Sequence, residues 1–495
     1  MPNCTATQVP FAKLGRRAIE VRFDGGDVSS DGGLLLLRQV ERRLGLLKAV
    51  AKALPDPRNP WLVQHSTEQL LRQRVFGLCQ GYEDLNDHDR LRDDLALQTA
   101  VGKDQAAASS PTLCRFENRA DCAAAVATQR ILVEQFIASF AKAPEELVLD
   151  FDATDDLVHG EQEGRHFSAY YDNYCFLPLY VFCGEQLLVA YLRPAKKDAA
   201  LHAAAILKLL VTRLRQAWPG VRIIFRGDSG FCRPLLLSWC ERNHVHYVVG
   251  MGKNSRLLAE SEWWREQAAR AFAWTQQPHR IFGEFRYRAG TWPCHRRLIA
   301  KAEHNAQGAN PRFVVTNLRD EPQALYETMY CARGKMENRI KECQLGLFAD
   351  RTSCHLWWPN QFRLLLASLA YVLMERLRTI GLAGTELARA QVWILRCRLL
   401  KVGAVIVRNT RRLRFFLASA FPHQETFLLA AQRFASGLPL PSAVPVRDDD
   451  QRGLGVVRPK FIGLLKNQAV ARIDPASNQF RALAPKSATH MKYAG

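Results

Sequence analysis

The stretch Leu147-Val148-Leu149-Asp150-Phe151-Asp152-Ala153-Thr154 decides the fold. Leu147, Leu149 and Phe151 alternate with Val148, Asp150 and Asp152, a period of two that sends one set of side chains to each face of a strand. Downstream, residues 175–183 and 186–192 read as two more strands, with Gly184-Glu185 as the hairpin turn between them. Residues 199–218 follow as a helix stopped by Pro219-Gly220. Residues 221–226 are a short strand running into Gly227-Asp228-Ser229-Gly230, and then come a helix (233–243) and a strand (246–249). Three consecutive strands, then helix–strand–helix–strand, predict an α/β fold with a mixed sheet rather than a purely doubly wound one.

Residues 256–322 break this rhythm. Trp263, Trp264 and Trp274 precede a segment in which Phe285 and Tyr287 alternate with Arg286 and Arg288, and strand-like pieces follow at 297–300 and 312–316. They read as a β-rich insertion. Upstream of the sheet, residues 30–142 read as helical, with apolar stripes at Leu34–Leu37, Val40, Leu44, Leu46 and Leu47 and at Leu70, Leu71, Val75 and Leu78. Ser109-Ser110-Pro111 opens a further helix as N-cap and first-turn proline. Helices return at 330–348 and 361–377; the remainder is helical, then irregular, with a linker at 439–450. The chain thus divides into a helical N-terminal region (1–142), a core (143–350) carrying the insertion, and a basic, mainly helical C-terminal region (351–495).

Of 495 residues, 48% are hydrophobic, enough for a large core, which excludes a generally disordered chain. With 68 Lys and Arg against 48 Asp and Glu, the formal charge of +20 points to a polyanionic partner. The surplus is uneven: from Glu386 onward, 18 basic residues face 6 acidic ones, and Arg396, Arg398, Lys401, Arg408, Arg411, Arg412 and Arg414 are the densest group. The 13 cysteines include no C-x-x-C pair and are odd in number, which argues against a zinc ribbon or a secreted disulfide framework. No apolar leader follows Met1, and the longest apolar run, residues 364–374, is too short to cross a bilayer, so a soluble intracellular protein is expected.

Asp152 closes the first strand and Asp228 the fourth; the rim at strand ends is where open α/β sheets place ligands. A third acid lies in Tyr330-Cys331-Ala332-Arg333-Gly334-Lys335-Met336-Glu337, where Arg333, Glu337 and Lys341 are spaced by four and share one helix face if the helix runs from Arg333. Ala332, Met336, Ile340, Cys343 and Leu347 form the adjoining apolar stripe, which would dock that helix and bring Glu337 to the sheet edge. Asp150, on the same strand face as Asp152, is the main rival for the first position.

A three-strand meander ending its first strand in Asp-x-Thr, a fourth strand ending in Asp and a later helix with Glu resembles a ribonuclease-H-like nucleotidyltransferase core. Tyr330-x-x-Arg333-x-x-x-Glu337 matches the Tyr-Arg-Glu-Lys signature of DDE insertion-sequence transposases. Together with Ser30-Asp31-Gly32-Gly33-Leu34, Gly81–Asp94, Asp152–Tyr171 and Arg226–Phe231, it resembles the thirteen-eighty family of bacterial insertion-sequence transposases, over about residues 20–435. One departure is that the signature lysine, seven residues after Glu337, is Gln344; Lys341 is the substitute offered one turn earlier.

The resemblance implies that Asp152, Asp228 and Glu337 are catalytic and hold Mg²⁺ or Mn²⁺, and that Tyr330 and Arg333 grip phosphate. Carboxylate oxygens suit such hard cations, and a pair of them ~3.5–4 Å apart stabilises the attacking and leaving oxygens of an in-line displacement. Water first cleaves the element end, and the freed 3′-hydroxyl then attacks target DNA. The implied partners are double-stranded DNA, at terminal inverted repeats and target, and a second copy in a synaptic homodimer. No membrane is involved; the protein is placed in the bacterial cytoplasm at the nucleoid. The N-terminal region is assigned to DNA binding or dimerisation. Further DNA contacts are assigned to Lys341, Arg165, Arg396, Arg398 and Lys401, and base stacking to Trp292, with Trp274 second. The competing readings are a ribonuclease-H-like nuclease without strand transfer and a non-enzymatic DNA-binding descendant.

Overall fold

A computed structural model describes residues 11–436 except Lys197. The linker read at 439–450 and nine of the 18 basic residues from Glu386 onward lie outside the described residues.

One mixed sheet organises the molecule. Its strands are β1 (Glu146–Ala153), β2 (Leu179–Cys183), β3 (Gln186–Tyr191), β4 (Arg222–Gly227), β5 (His246–Met251), β6 (His279–Tyr287), β7 (Arg296–Asn305), β8 (Gly308–Ala309) and β9 (Arg312–Thr316). The spatial order is β6-β7-β9-β5-β4-β1-β2-β3, with β8 paired to β7. β1, β2 and β3 form an antiparallel meander, turned by Gly184 at φ 60°, and β4 and β5 then run parallel to β1. The first five strands therefore stand in the order 3-2-1-4-5. β9 pairs antiparallel with β5, so the inserted strands lengthen this same sheet, and the insertion begins with two helices, Ser255–Glu260 and Glu262–Thr275.

The strand expected over 175–183 is two: Asn173–Phe176 belongs to a small three-stranded sheet with Asp156–Leu157 and His166–Ser168, and β2 starts at Leu179. Pro178 stands at the break, where a missing N–H does no harm.

Alternation along β2 shows why the sheet is buried on both faces. Leu179 and Val181 enter a core with the helices Ala203–Ala217 and Pro234–Arg242; Tyr180 and Phe182 enter another with Leu34–Leu44, Leu46–Ala53, Thr67–Gln80 and Trp357–Arg376. That second core joins the N- and C-terminal regions in one packed body. Part of the C-terminal region departs from the helical or irregular expectation. Ala404–Arg408 and Leu413–Leu417 form a β-hairpin, and its first strand pairs with Asp27–Ser29 near the other end of the chain.

Ser30-Asp31-Gly32-Gly33 makes the same long-range connection. The amides of Gly32 and Gly33 donate to the carbonyls of Val402 and Leu400 at 3.0 and 3.1 Å. A Cβ on Gly33 would lie 2.3 Å from the Leu400 Cα, so backbone approach requires glycine there. Among the described residues no cysteine forms a disulfide, and no helix is long and apolar enough to cross a membrane.

Candidate active site

Phe151 of β1 pairs with Gly227 of β4 in parallel register, so the next residues, Asp152 and Asp228, emerge side by side at one edge of the sheet. Asp228 Oδ1 accepts from the Gly230 amide at 2.8 Å and caps the short turn Ser229–Phe231. Asp152 Oδ1 accepts from the Ala153 amide at 3.0 Å.

The third acid comes from an irregular helix. Leu325–Tyr330 is a π-type turn, Cys331–Arg333 a 3₁₀ turn, and Gly334–Lys341 a regular α-helix. Leu325 and Tyr326 pack on Ile224, Val248, Ile299 and Val314 of the sheet, while Met336, Ile340, Cys343 and Leu347 are buried as the stripe required. Glu337 is thereby held near Asp152 through Arg333: the guanidinium Nη1 lies 3.2 Å from Asp152 Oδ2 and Nη2 lies 2.9 Å from Glu337 Oε1. Tyr330 fits against Gly250 of β5, where an added Cβ would stand 2.5 Å from the tyrosine hydroxyl and 3.0 Å from the Ser229 amide. Burial raises the Tyr330 phenol, and Asp228 raises it further.

Electrostatics mark this edge as short of positive charge. The Asp152 carboxyl is pushed up to about 7, first by burial, with the charges of Asp228 and Glu337 adding to it and Arg333 opposing. Carboxylate oxygens are the ligand type a hard oxygen-seeking cation takes. Among the described residues, no three Asp, Glu, His or Cys side chains are already gathered as a cation cage. Arg333 stands between Asp152 and Glu337 as the counter-charge.

Asp150 is removed from contention by its own partner. Buried at 3% exposure, it is gripped by Arg226 through two N–H groups, one of them Nη2 at 2.6 Å from Oδ2.

The assigned DNA contacts fare differently. Lys341 and Arg398 are exposed. Arg165 lies over the Tyr174 ring at 4.7 Å and pairs with Glu161 at 3.3 Å, in the small sheet beyond Asp152. Trp292 is overturned as a stacking platform: it is 5% exposed, edge-on to Tyr287, with the Arg296 guanidinium over its ring. Trp274 is 90% exposed. Arg396 is corrected too, since its guanidinium donates to the carbonyls of Cys79, Leu78 and Gly346 and ties the end of Thr67–Gln80 to the region after Glu337. Lys401 Nζ is 2.6 Å from buried Asp31 and 3.0 Å from the Tyr82 hydroxyl, so it neutralises an internal acid rather than facing solvent phosphate. Gln344, in the signature lysine position, donates to the Asp155 carbonyl at 2.8 Å and braces the loop after Asp152.

Sequence reasoning missed Arg226 and Gly250. The signal for Arg226 was present: Asp150 and Arg226 each stand two residues before a terminal acid, on what become adjacent parallel strands. Gly250 left no signal, because its missing side chain makes room for groups that only the fold brings there, the Tyr330 hydroxyl and the Ser229 backbone.

No curated protein matches this chain. Among solved structures it is similar to the piggyBac transposase in a synaptic complex with hairpin DNA, at 11% identity and TM-score 0.38, over 75% of this chain and 80% of that one. A family model described as transposase DDE domain, group 1, matches residues 11–437. The chain therefore belongs to the group 1 family of DDE transposase domains.

Proposed function

We propose that the protein cleaves insertion-sequence ends and joins the freed 3′-hydroxyl to target DNA by divalent-cation-dependent phosphoryl transfer, as a transposase of the thirteen-eighty type. The observation that carries this reading is the meeting of Asp152 and Asp228 at one sheet edge, with Glu337 tied to Asp152 through Arg333. The 3-2-1-4-5 strand order with an antiparallel second strand supports a ribonuclease-H-like core.

Asp152, Asp228 and Glu337 would hold the cation, two ions of the Mg²⁺ or Mn²⁺ class, which supplies charge stabilisation to the attacking and leaving oxygens. The protein's own groups do the rest. Arg333, which lies against Asp152 and Glu337, would offer its planar fork to a phosphate, a geometry it matches with two parallel hydrogen bonds. Tyr330 presents its hydroxyl beside Asp228 to steady the same backbone. The partners are duplex DNA at the element ends and target and a second copy at the paired end, with the reaction run in the bacterial cytoplasm at the nucleoid.

The test is end-DNA nicking. Asp152→Ala and Glu337→Gln proteins should still bind an end duplex yet fail to nick it with Mg²⁺; full cleavage by either would sink the assignment. Joining of a 3′-hydroxyl end to a second duplex separates this reading from a nuclease without strand transfer.

A further inference from the structure

Arg226 lies on β4 two residues before Asp228, and Asp150 lies on β1 two residues before Asp152. Parallel register makes them direct cross-strand neighbours. Both carboxylate oxygens of Asp150 hold the Arg226 guanidinium, and both residues are buried. A pair spent only on joining β1 to β4 would end there. Arg226 has a third contact: Nη1 donates to the carbonyl of Met329, in the element that carries Tyr330, Arg333 and Glu337.

The place of that contact matters. Met329 stands in the π-type turn, one residue before Tyr330, and the helix changes to a 3₁₀ repeat at Cys331. A 3₁₀ turn advances each side chain by ~120° and an α-turn by ~100°, so the point where the repeat changes sets the direction of every later side chain. Upstream, Leu325 and Tyr326 are fixed by apolar packing; downstream, Met336 and Ile340 are. Between them, the Arg226 contact ties the junction to the strand pair that ends in the two aspartates.

We propose that Arg226, held by Asp150, is a positioning residue: a strut from β1 and β4 to the Met329 carbonyl that aims Arg333 and Glu337 at Asp152. The proposal rests on the reading of Asp152, Asp228 and Glu337 as the cutting site. A buried ion pair is weak evidence of net stability, since an apolar pair often replaces it at no loss. The reach to a third element is what a purely stabilising pair does not need.

The experiment uses the full chain with two variants. Arg226→Lys keeps a cation beside Asp150, but its donors radiate from one point, whereas Arg226 reaches the two Asp150 oxygens and the Met329 carbonyl from three separate nitrogens of a planar fork. Asp150→Asn/Arg226→Gln is the neutral pair, which leaves no buried charge if the lysine variant folds poorly. Backbone hydrogen exchange, melting temperature, end-duplex affinity and single-turnover nicking with Mg²⁺ are measured for each.

Exchange should quicken in residues 327–341 and stay unchanged in β2 and β3. Nicking should fall by about a hundredfold, the cost of a misplacement near 1 Å, with duplex affinity held. Unchanged exchange in 327–341 overturns the proposal. So does exchange that rises across the whole sheet in both variants in step with a lower melting temperature. If the wild-type protein nicks no duplex, the functional reading fails instead, and the exchange pattern still decides whether the strut exists.

Discussion

Asp150 and Asp152 share one strand face and have opposite fates. Asp150 meets Arg226 inside the sheet, whereas Asp152 reaches the edge, where burial and two neighbouring acids push its carboxyl up to about 7. A carboxyl must be ionised to hold a cation, so Mn²⁺ affinity should climb between pH 6 and about 7 and level off above, as read by electron paramagnetic resonance. In the cation-free protein the sign is the reverse. A folded-state value above the unfolded ~3.9 means stability is fully present below that value and lost as pH rises toward 7. Asp152→Asn should flatten this part of the stability–pH curve. The two tryptophans make a second contrast of environment. Trp292→Ala should cost about 3–5 kcal/mol because it empties a core site, while Trp274→Ala should change stability by less than ~0.5 kcal/mol. Thermal melting decides; equal losses would refute the burial argument.

At the scale of elements, the C-terminal hairpin separates basic residues that solvent sees from those the fold consumes. Asn409 closes its turn by accepting from the Arg411 and Arg412 amides at 3.1 and 2.8 Å. Arg411, Arg412 and Arg414 are exposed at the tip and second strand, whereas Arg396 and Lys401, just before the hairpin, are bound inward. Neutralising Arg411, Arg412 and Arg414 together should flatten the log K against log salt slope for duplex binding by about 2.7, at ~0.9 per phosphate contact. An unchanged slope would move the DNA surface elsewhere. Lys401→Met should leave that slope alone and lower stability by on the order of 3 kcal/mol, because Asp31 stays buried without its cation. Calorimetric melting gives the measurement, and a loss near zero would show that Asp31 is satisfied in some other way.

For the whole molecule, the sheet is the frame and its two ends of chain are the clamp. Lengthening the sheet with β9, β7 and β6 puts the insertion on the β5 edge, the same side over which Leu325–Tyr330 crosses toward Asp152. The N- and C-terminal regions close on this same face, over β2 and β3, through one core and one short strand pairing, so truncating either should unfold both rather than release a separate domain. Limited proteolysis of a chain starting at residue 143 tests this: a stable fragment would contradict the shared core.

The sequence by itself determined the strand meander, the two aspartates at strand ends and the apolar stripe beneath Glu337. Each is a local pattern: a period of two, an acid at or just past a strand's end, a spacing of three and four. Tertiary structure alone decided which of these side chains are bound inward and which stay open. Asp150, Arg396, Lys401 and Trp292 have the composition of functional residues, and they were separated from Asp152, Arg398 and Trp274 by partners 76 to 370 residues away or by burial. A charge's role depends on whether its nearest opposite charge or carbonyl is inside the protein, and that distance is set by register and packing, not by neighbours in sequence. The same holds for Arg226, whose sequence position names Asp228 and whose contacts reach Asp150 and Met329.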